Sequence, residues 1–182
     1  MRNWKVIVAI LVGVALSGTL SGTLSGALYA QQKGGKKLTA EDYVEIYRLY
    51  YRYNWAADAR DGKTWSNLFT PDGVFEVVSS GKKDEGREAL MQAPQKGLGT
   101  ATATTALHFV TNVWVEPSPG GARGGAYLLN VAPGEPGKPS TITSVAFYED
   151  TLVKTPDGWR LKLRRAHSEG GLAPSIIAPP SN

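Results

Sequence analysis

Leu107-His108-Phe109-Val110-Thr111-Asn112-Val113-Trp114-Val115 marks the point where this 182-residue chain changes its periodicity. Upstream, apolar residues recur at intervals of three and four, as one face of a helix requires. From residue 104 onward, β-branched and aromatic residues fill long runs, which suits pleated, half-buried backbone. Segments 104–116, 122–131, 141–154 and 159–167 therefore read as four long strands. Two connections, 117–121 and 133–139, are rich in Gly and Pro, and the last, Thr155-Pro156-Asp157-Gly158, is a hairpin signal. Within the final strand, Arg160 to Arg165 alternates basic residues with leucines and reads as a solvated face.

Moving upstream, 87–93 reads as a short helix, 81–86 as a polar loop and 74–78 as a strand. Thr70-Pro71-Asp72-Gly73 is a turn signal that stops a short helix over 64–69. A long helix opens at Thr39, which offers an N-cap with Asp42 three positions on. It places Tyr43, Ile46, Tyr47, Tyr50, Tyr51, Asn54 and Asp58 on one broad inward stripe, and Gly62 closes it or its trailing turn. Trp65, Phe69 and Trp114 are assigned to the core. Helices first and long antiparallel strands after them predict an α+β domain. The expected form is a cone-shaped barrel, a curved antiparallel sheet wrapped around the long N-terminal helix, with an open mouth suited to a small ligand.

The outer limits of that domain follow from composition. Arg2 and Lys5, the apolar run 6–16 and the small-residue stretch ending Ala27-Leu28-Tyr29-Ala30 form a secretory signal over 1–30. Its apolar run is about eleven residues, short of the roughly twenty that span a bilayer. The alternative is an uncleaved anchor lengthened by Leu20, Leu24 and Leu28. Residues 31–37 form a flexible leader, 38–168 the domain and 169–182 a flexible tail, and the mature protein is expected to be exported to a periplasm or secreted. The sequence has no cysteine, so disulfides and thiolate metal sites are excluded. Its net charge is +4, and loss of the signal leaves 18 basic against 16 acidic residues, too even a balance to suggest nucleic acid. Two histidines far apart offer no metal cluster, and no phosphate loop, dinucleotide fingerprint or nucleophile elbow is present. No cofactor and no metal are expected.

Chemistry is expected at His108. A neutral imidazole is the side chain best suited to abstract a proton α to a carbonyl near neutral pH. A carboxylate on the other ring nitrogen fixes the tautomer and stabilises the imidazolium. Asp58, at the end of the aromatic helix, is the candidate carboxylate, with Asp61 the competitor assigned to solvent. A phenol could donate to the developing enolate, a role that fits Tyr53. On an ideal helix Tyr53 and Asp58 lie about 140° apart, so they converge only if the helix ends or bends near Ala56. Tyr50 and Asn112, the latter by strand alternation from His108, are candidate pocket residues. The bland alternatives are a core histidine bonded to a backbone carbonyl, a capping aspartate and a core tyrosine. His167 is assigned to the exposed terminus.

Several separated features agree in order: Tyr53-x4-Asp58, Leu68-Phe69-Thr70-Pro71-Asp72-Gly73, His108-Phe109-Val110-Thr111-Asn112, and Asp157-Gly158-Trp159. Over about residues 38–167 this pattern resembles the SnoaL-like group of the nuclear-transport-factor-2-like superfamily of α+β cones. Within it, the similarity is to scytalone dehydratase and bile-acid 7α-dehydratase, which use an Asp–His dyad with tyrosine help to eliminate water next to a carbonyl. The resemblance assigns the dyad to Asp58 and His108 and the helix tyrosine to Tyr53. A second histidine would fall near Pro133, an asparagine near Tyr148 and a strand tyrosine near Glu76 or Val77, and this sequence has none of them there. The resemblance implies a cofactor-independent lyase or isomerase acting on a small hydrophobic cyclic ketone, or a non-catalytic module that binds such a molecule. It also implies a homo-oligomer formed through the sheet.

Overall fold

The computed structural model describes residues 36–96 and 106–168. The expected signal, most of the leader and the tail lie outside the described residues. Helix α1 spans Ala40–Asp58 and begins in a complete capping box. Thr39 Oγ1 accepts the Asp42 N–H at 3.2 Å, and Asp42 Oδ2 accepts the Thr39 N–H at 2.9 Å. Asp42 also receives Trp159 Nε1 at 2.9 Å and Lys154 Nζ at 2.7 Å, so the cap latches the helix to the last hairpin. The helix buries Ile46, Leu49, Tyr50, Tyr53, Asn54 and Ala56 at three-and-four spacing. Tyr51, expected on this stripe, points to solvent.

Asp61 caps the next helix, α2 (Gly62–Asn67), accepting the Thr64 N–H at 2.9 Å. The chain then enters β1 (Phe69–Val77), and β2 (Lys82–Glu85) forms a short edge strand inside the expected polar loop. Helix α3 is Gly86–Lys96. Four long strands follow: β3 (Leu107–Ser118), β4 (Gly121–Ala132), β5 (Thr141–Thr155) and β6 (Gly158–Ser168). They form one open six-stranded sheet in the order β2-β1-β6-β5-β4-β3. The sheet is not wholly antiparallel, because β1 and β6 pair in parallel. After β2 the chain crosses through α3 to the far edge, and the meander returns to β1 running in its direction.

Irregularities in pairing decide which side chains face the helix. In β6, Leu161 pairs with Leu152 and Leu163 with Thr151, so the strand carries one extra residue there. That bulge resets the alternation. Leu161 and Arg164, three apart, consequently both point inward and are fully buried. Arg164 is therefore not on a solvated face. It donates from Nε and Nη2 to the two oxygens of Asp150 at 2.8 and 2.7 Å, and Tyr50 Oη donates to Asp150 at 2.5 Å. Its guanidinium lies 4.1 Å from the ring centres of both Tyr53 and Tyr148 and 4.8 Å from that of Tyr50. The charge is thus paired and caged by aromatic faces, as a buried cation requires. Around it Ile46, Leu49, Trp65, Phe69, Leu128, Leu152 and Leu161 complete the core between α1 and the sheet.

Candidate active site

Helix α1 stops at Asp58 through a reversal made by the next three residues. The Asp61 N–H bonds the Ala56 carbonyl at 2.9 Å and the Arg60 N–H bonds that of Ala57 at 3.0 Å. Arg60 takes the left-handed conformation, φ 57°, where glycine is more usual. Asp58 is thereby the last helical residue, and its carboxylate reaches beyond the helix end to edge strand β3. There its two oxygens accept the His108 backbone N–H at 3.2 and 3.3 Å, and Oδ1 lies 2.5 Å from His108 Nδ1. One carboxylate thus holds both backbone and ring of the same residue. With the carboxylate ionised, the proton sits on Nδ1 and leaves Nε2 as the basic nitrogen. The His108 side chain is 28% exposed and that of Asp58 16%, so the pair sits at the rim of the cone.

Tyr53 does not join this pair. The helix runs regularly to Asp58, so the two side chains diverge, and Tyr53 is buried against Trp65, Phe69 and Tyr148. Burial, with Tyr148 beside it, pushes the Tyr53 phenol well above the usual tyrosine range. Tyr50 is likewise fully enclosed and committed to Asp150, and burial followed by that carboxylate raises its phenol. The phenol that feels the Asp58 charge is Tyr148 on β5, pushed up to about 12 chiefly by burial, with Asp150 and Asp58 adding to it.

Asn112 is exposed rather than placed beside His108 on the inner face. Strand β3 slips register between Thr111 and Trp114, and Asn112 is the bulged residue, with φ 52°. Its Oδ1 accepts from the neighbouring Thr111 hydroxyl at 2.9 Å. Beyond the bulge Val113 and Val115 turn to the core, while Trp114 is only half-buried and lies over Gly125. His167 is half-buried as well, with Nε2 3.1 Å from Glu149. Sequence reasoning missed Asn130 and Ser144, which continue the His108 row across β4 and β5. It also missed the Arg164–Asp150 pair, because neither charge stands out among the other charged residues of β5 and β6.

A helix ending against the rim of an open, curved sheet defines the cystatin-like, nuclear-transport-factor-2-like class of α+β proteins. The sequence pattern of the SnoaL-like domain matches residues 38–165, and the chain belongs to that family. Among solved structures, it is similar to a cystatin-like-fold protein of unknown function from Nostoc punctiforme. That pair is 25% identical, with a TM-score of 0.64, covering 75% of this chain and 98% of the other. A nuclear-transport-factor-2-like protein from Novosphingobium aromaticivorans is 23% identical with a TM-score of 0.66, covering 90% and 99% of the two chains. ActVI-ORFA from Streptomyces coelicolor shares the fold at 18% identity and a TM-score of 0.62, covering 70% and 97%. No curated protein matches the chain.

Proposed function

We propose that this protein is an exported, cofactor-independent lyase or isomerase in which His108, held by Asp58, is the general base. The substrate is a small hydrophobic cyclic ketone. The observation that carries this reading is the 2.5 Å contact between His108 Nδ1 and Asp58 Oδ1 at a partly exposed rim. Nε2 takes a proton from the carbon next to the carbonyl, and the electron pair left behind forms the enolate. In an elimination the enolate re-forms the carbonyl and makes a C=C bond as the β-hydroxyl departs, taking the proton from the imidazolium to leave as water. In an isomerisation the same proton returns to a different carbon.

The test uses 2-tetralone, a bicyclic ketone, in D2O, following deuterium exchange at its α-carbon by NMR. The chain should accelerate exchange over buffer, and His108→Ala should remove the acceleration while 2-naphthol, the aromatic enol of the same skeleton, still binds. Equal loss of exchange and binding would assign His108 a structural role instead. A second reading, a non-catalytic carrier of the same class of molecule, is favoured by one observation. Tyr50, Tyr53, Tyr148 and Arg164 fill the interior, which leaves less depth for substrate. Binding of 2-naphthol without exchange of 2-tetralone would select it.

The macromolecular partner in this proposal is a second copy, docked through the outer sheet face. Leu107, Phe109, Ile142 and Val145 are 40–58% exposed, and the strand register places them together on that face. Exposed apolar groupings of this kind mark association surfaces. Sedimentation should give a dimer that Phe109→Glu with Val145→Glu converts to a monomer, and a wild-type monomer at micromolar concentration would sink the idea.

A further inference from the structure

His108 does not stand alone on the inner face of the sheet. Its direct partner on β4 is Asn130, whose partner on β5 is Ser144. The three form a row across adjacent strands at the end of the sheet that Asp58 reaches. The His108 N–H is given to Asp58 and not to β4. His108 and Asn130 are therefore the closely spaced, non-hydrogen-bonded kind of antiparallel pair, whose side chains approach most nearly. Pairing between β4 and β5 slips at Asn130/Val131, and pairing between β3 and β4 slips after Thr111. Irregularities of this kind gather where a sheet re-aims side chains at a site.

The Asn130 amide is half used. Nδ2 donates to Ser144 Oγ at 2.7 Å, while Oδ1 is enclosed without a hydrogen-bond partner. A serine hydroxyl can accept or donate, so a half-turn of the amide keeps the Ser144 bond and exchanges which end remains free. The row can thus offer an acceptor to a hydroxyl or an N–H to an oxyanion. The ring of Tyr53 is buried under Arg164 and its phenol is a poor acid, so the donor that an enolate needs must come from elsewhere.

Resting on the base chemistry proposed for His108, we infer that Asn130 is the catalytic donor that holds the substrate's carbonyl oxygen, with Ser144 as its positioning residue. The amide N–H bonds the oxygen as the α-proton leaves for His108 Nε2. No covalent bond to the protein forms, and the proton and charge end on the imidazolium and the enolate.

The experiment compares wild type, His108→Ala, Asn130→Leu and Ser144→Ala in 2-tetralone exchange and in 2-naphthol binding. Asn130→Leu should slow exchange about 100-fold, the usual loss when one oxyanion donor is removed. It should weaken 2-naphthol binding in parallel and leave the shape of the pH–rate profile unchanged. Ser144→Ala should act in the same direction, on turnover more than on KM. If Asn130→Leu exchanges and binds as wild type does while His108→Ala is inactive, the inference fails and the base reading stands. If wild type exchanges no faster than buffer, the base reading fails, and Asn130 as the catalytic donor falls with it. Should Asn130→Leu not fold, Asn130→Asp, close in shape but without the donor, gives the same two readouts.

Discussion

The Asp58 carboxylate binds the backbone and the ring of His108 at once, so imidazole orientation and strand position are fixed by a single group. That economy was visible in sequence only as two residues fifty positions apart, one ending an aromatic helix and one opening a β run. Tyr53 illustrates the opposite case. Its place five residues ahead of Asp58 made it the candidate third member of the site, yet a regular helix turns it into the aromatic cage of Arg164. We expect Tyr53→Phe to leave 2-tetralone exchange close to wild type and to lower stability by about 1 kcal/mol through the lost phenol contact. Urea unfolding beside the exchange assay checks both, and a collapse of exchange with unchanged stability would restore Tyr53 to the chemistry. Unbroken alternation through 160–165 would put Arg164 on the solvent side, whereas one extra residue in β6 turns it inward. The bulge at Asn112 breaks the alternation of β3 in the same way.

At the level of elements, the long helix and the four long strands were legible, each within a few residues, because periodicity and turn chemistry agree over long segments. The two short helices were legible as well, whereas β2 was hidden in the polar loop and β1 begins at Phe69, five residues ahead of the expected strand. The tetrapeptide Thr-Pro-Asp-Gly occurs twice, at 70–73 and at 155–158. The second copy closes the β5–β6 hairpin with Gly158 at φ 96°. The first lies within β1 as an irregularity between Phe69 and Val74, where Gly73 has no room for a side chain beside Phe69. The same four residues therefore serve two ends, and the neighbouring strand decides between them. Gly62 is another close approach. A Cβ there would lie 1.8 Å from the Met91 carbonyl oxygen of α3. Gly62→Ala must part α2 from α3, and a loss of about 2 kcal/mol or more is expected, of the size that overpacking a filled contact costs. A thermal midpoint equal to wild type would contradict this packing.

For the molecule as a whole, stability should fall off at both ends of the pH scale, for two separate reasons. Bonds from Lys154, Thr39 and Trp159 hold the Asp42 carboxyl far below the usual carboxylate range. Its contribution is complete above the unfolded value of about 4 and is lost as pH falls below it toward the folded value. Asp42→Asn should flatten that acid limb in chemical unfolding. Burial keeps the Tyr148 phenol protonated up to about 12. Unfolded tyrosine ionises near 10, so stability is complete below about pH 10 and declines above it as the unfolded chain sheds protons that the native one retains. The parallel pairing of β1 with β6 has a consequence in time rather than in energy. Phe69 meets Leu161 and Val77 meets Ala166, so the first strand of the sheet finds its central neighbour only when the last has been made. Contacts between such distant positions are slow to close. A ribosome-bound chain halted before residue 158 can pair β1 only with the four-residue β2, so the other edge of β1 stays open until β6 has emerged.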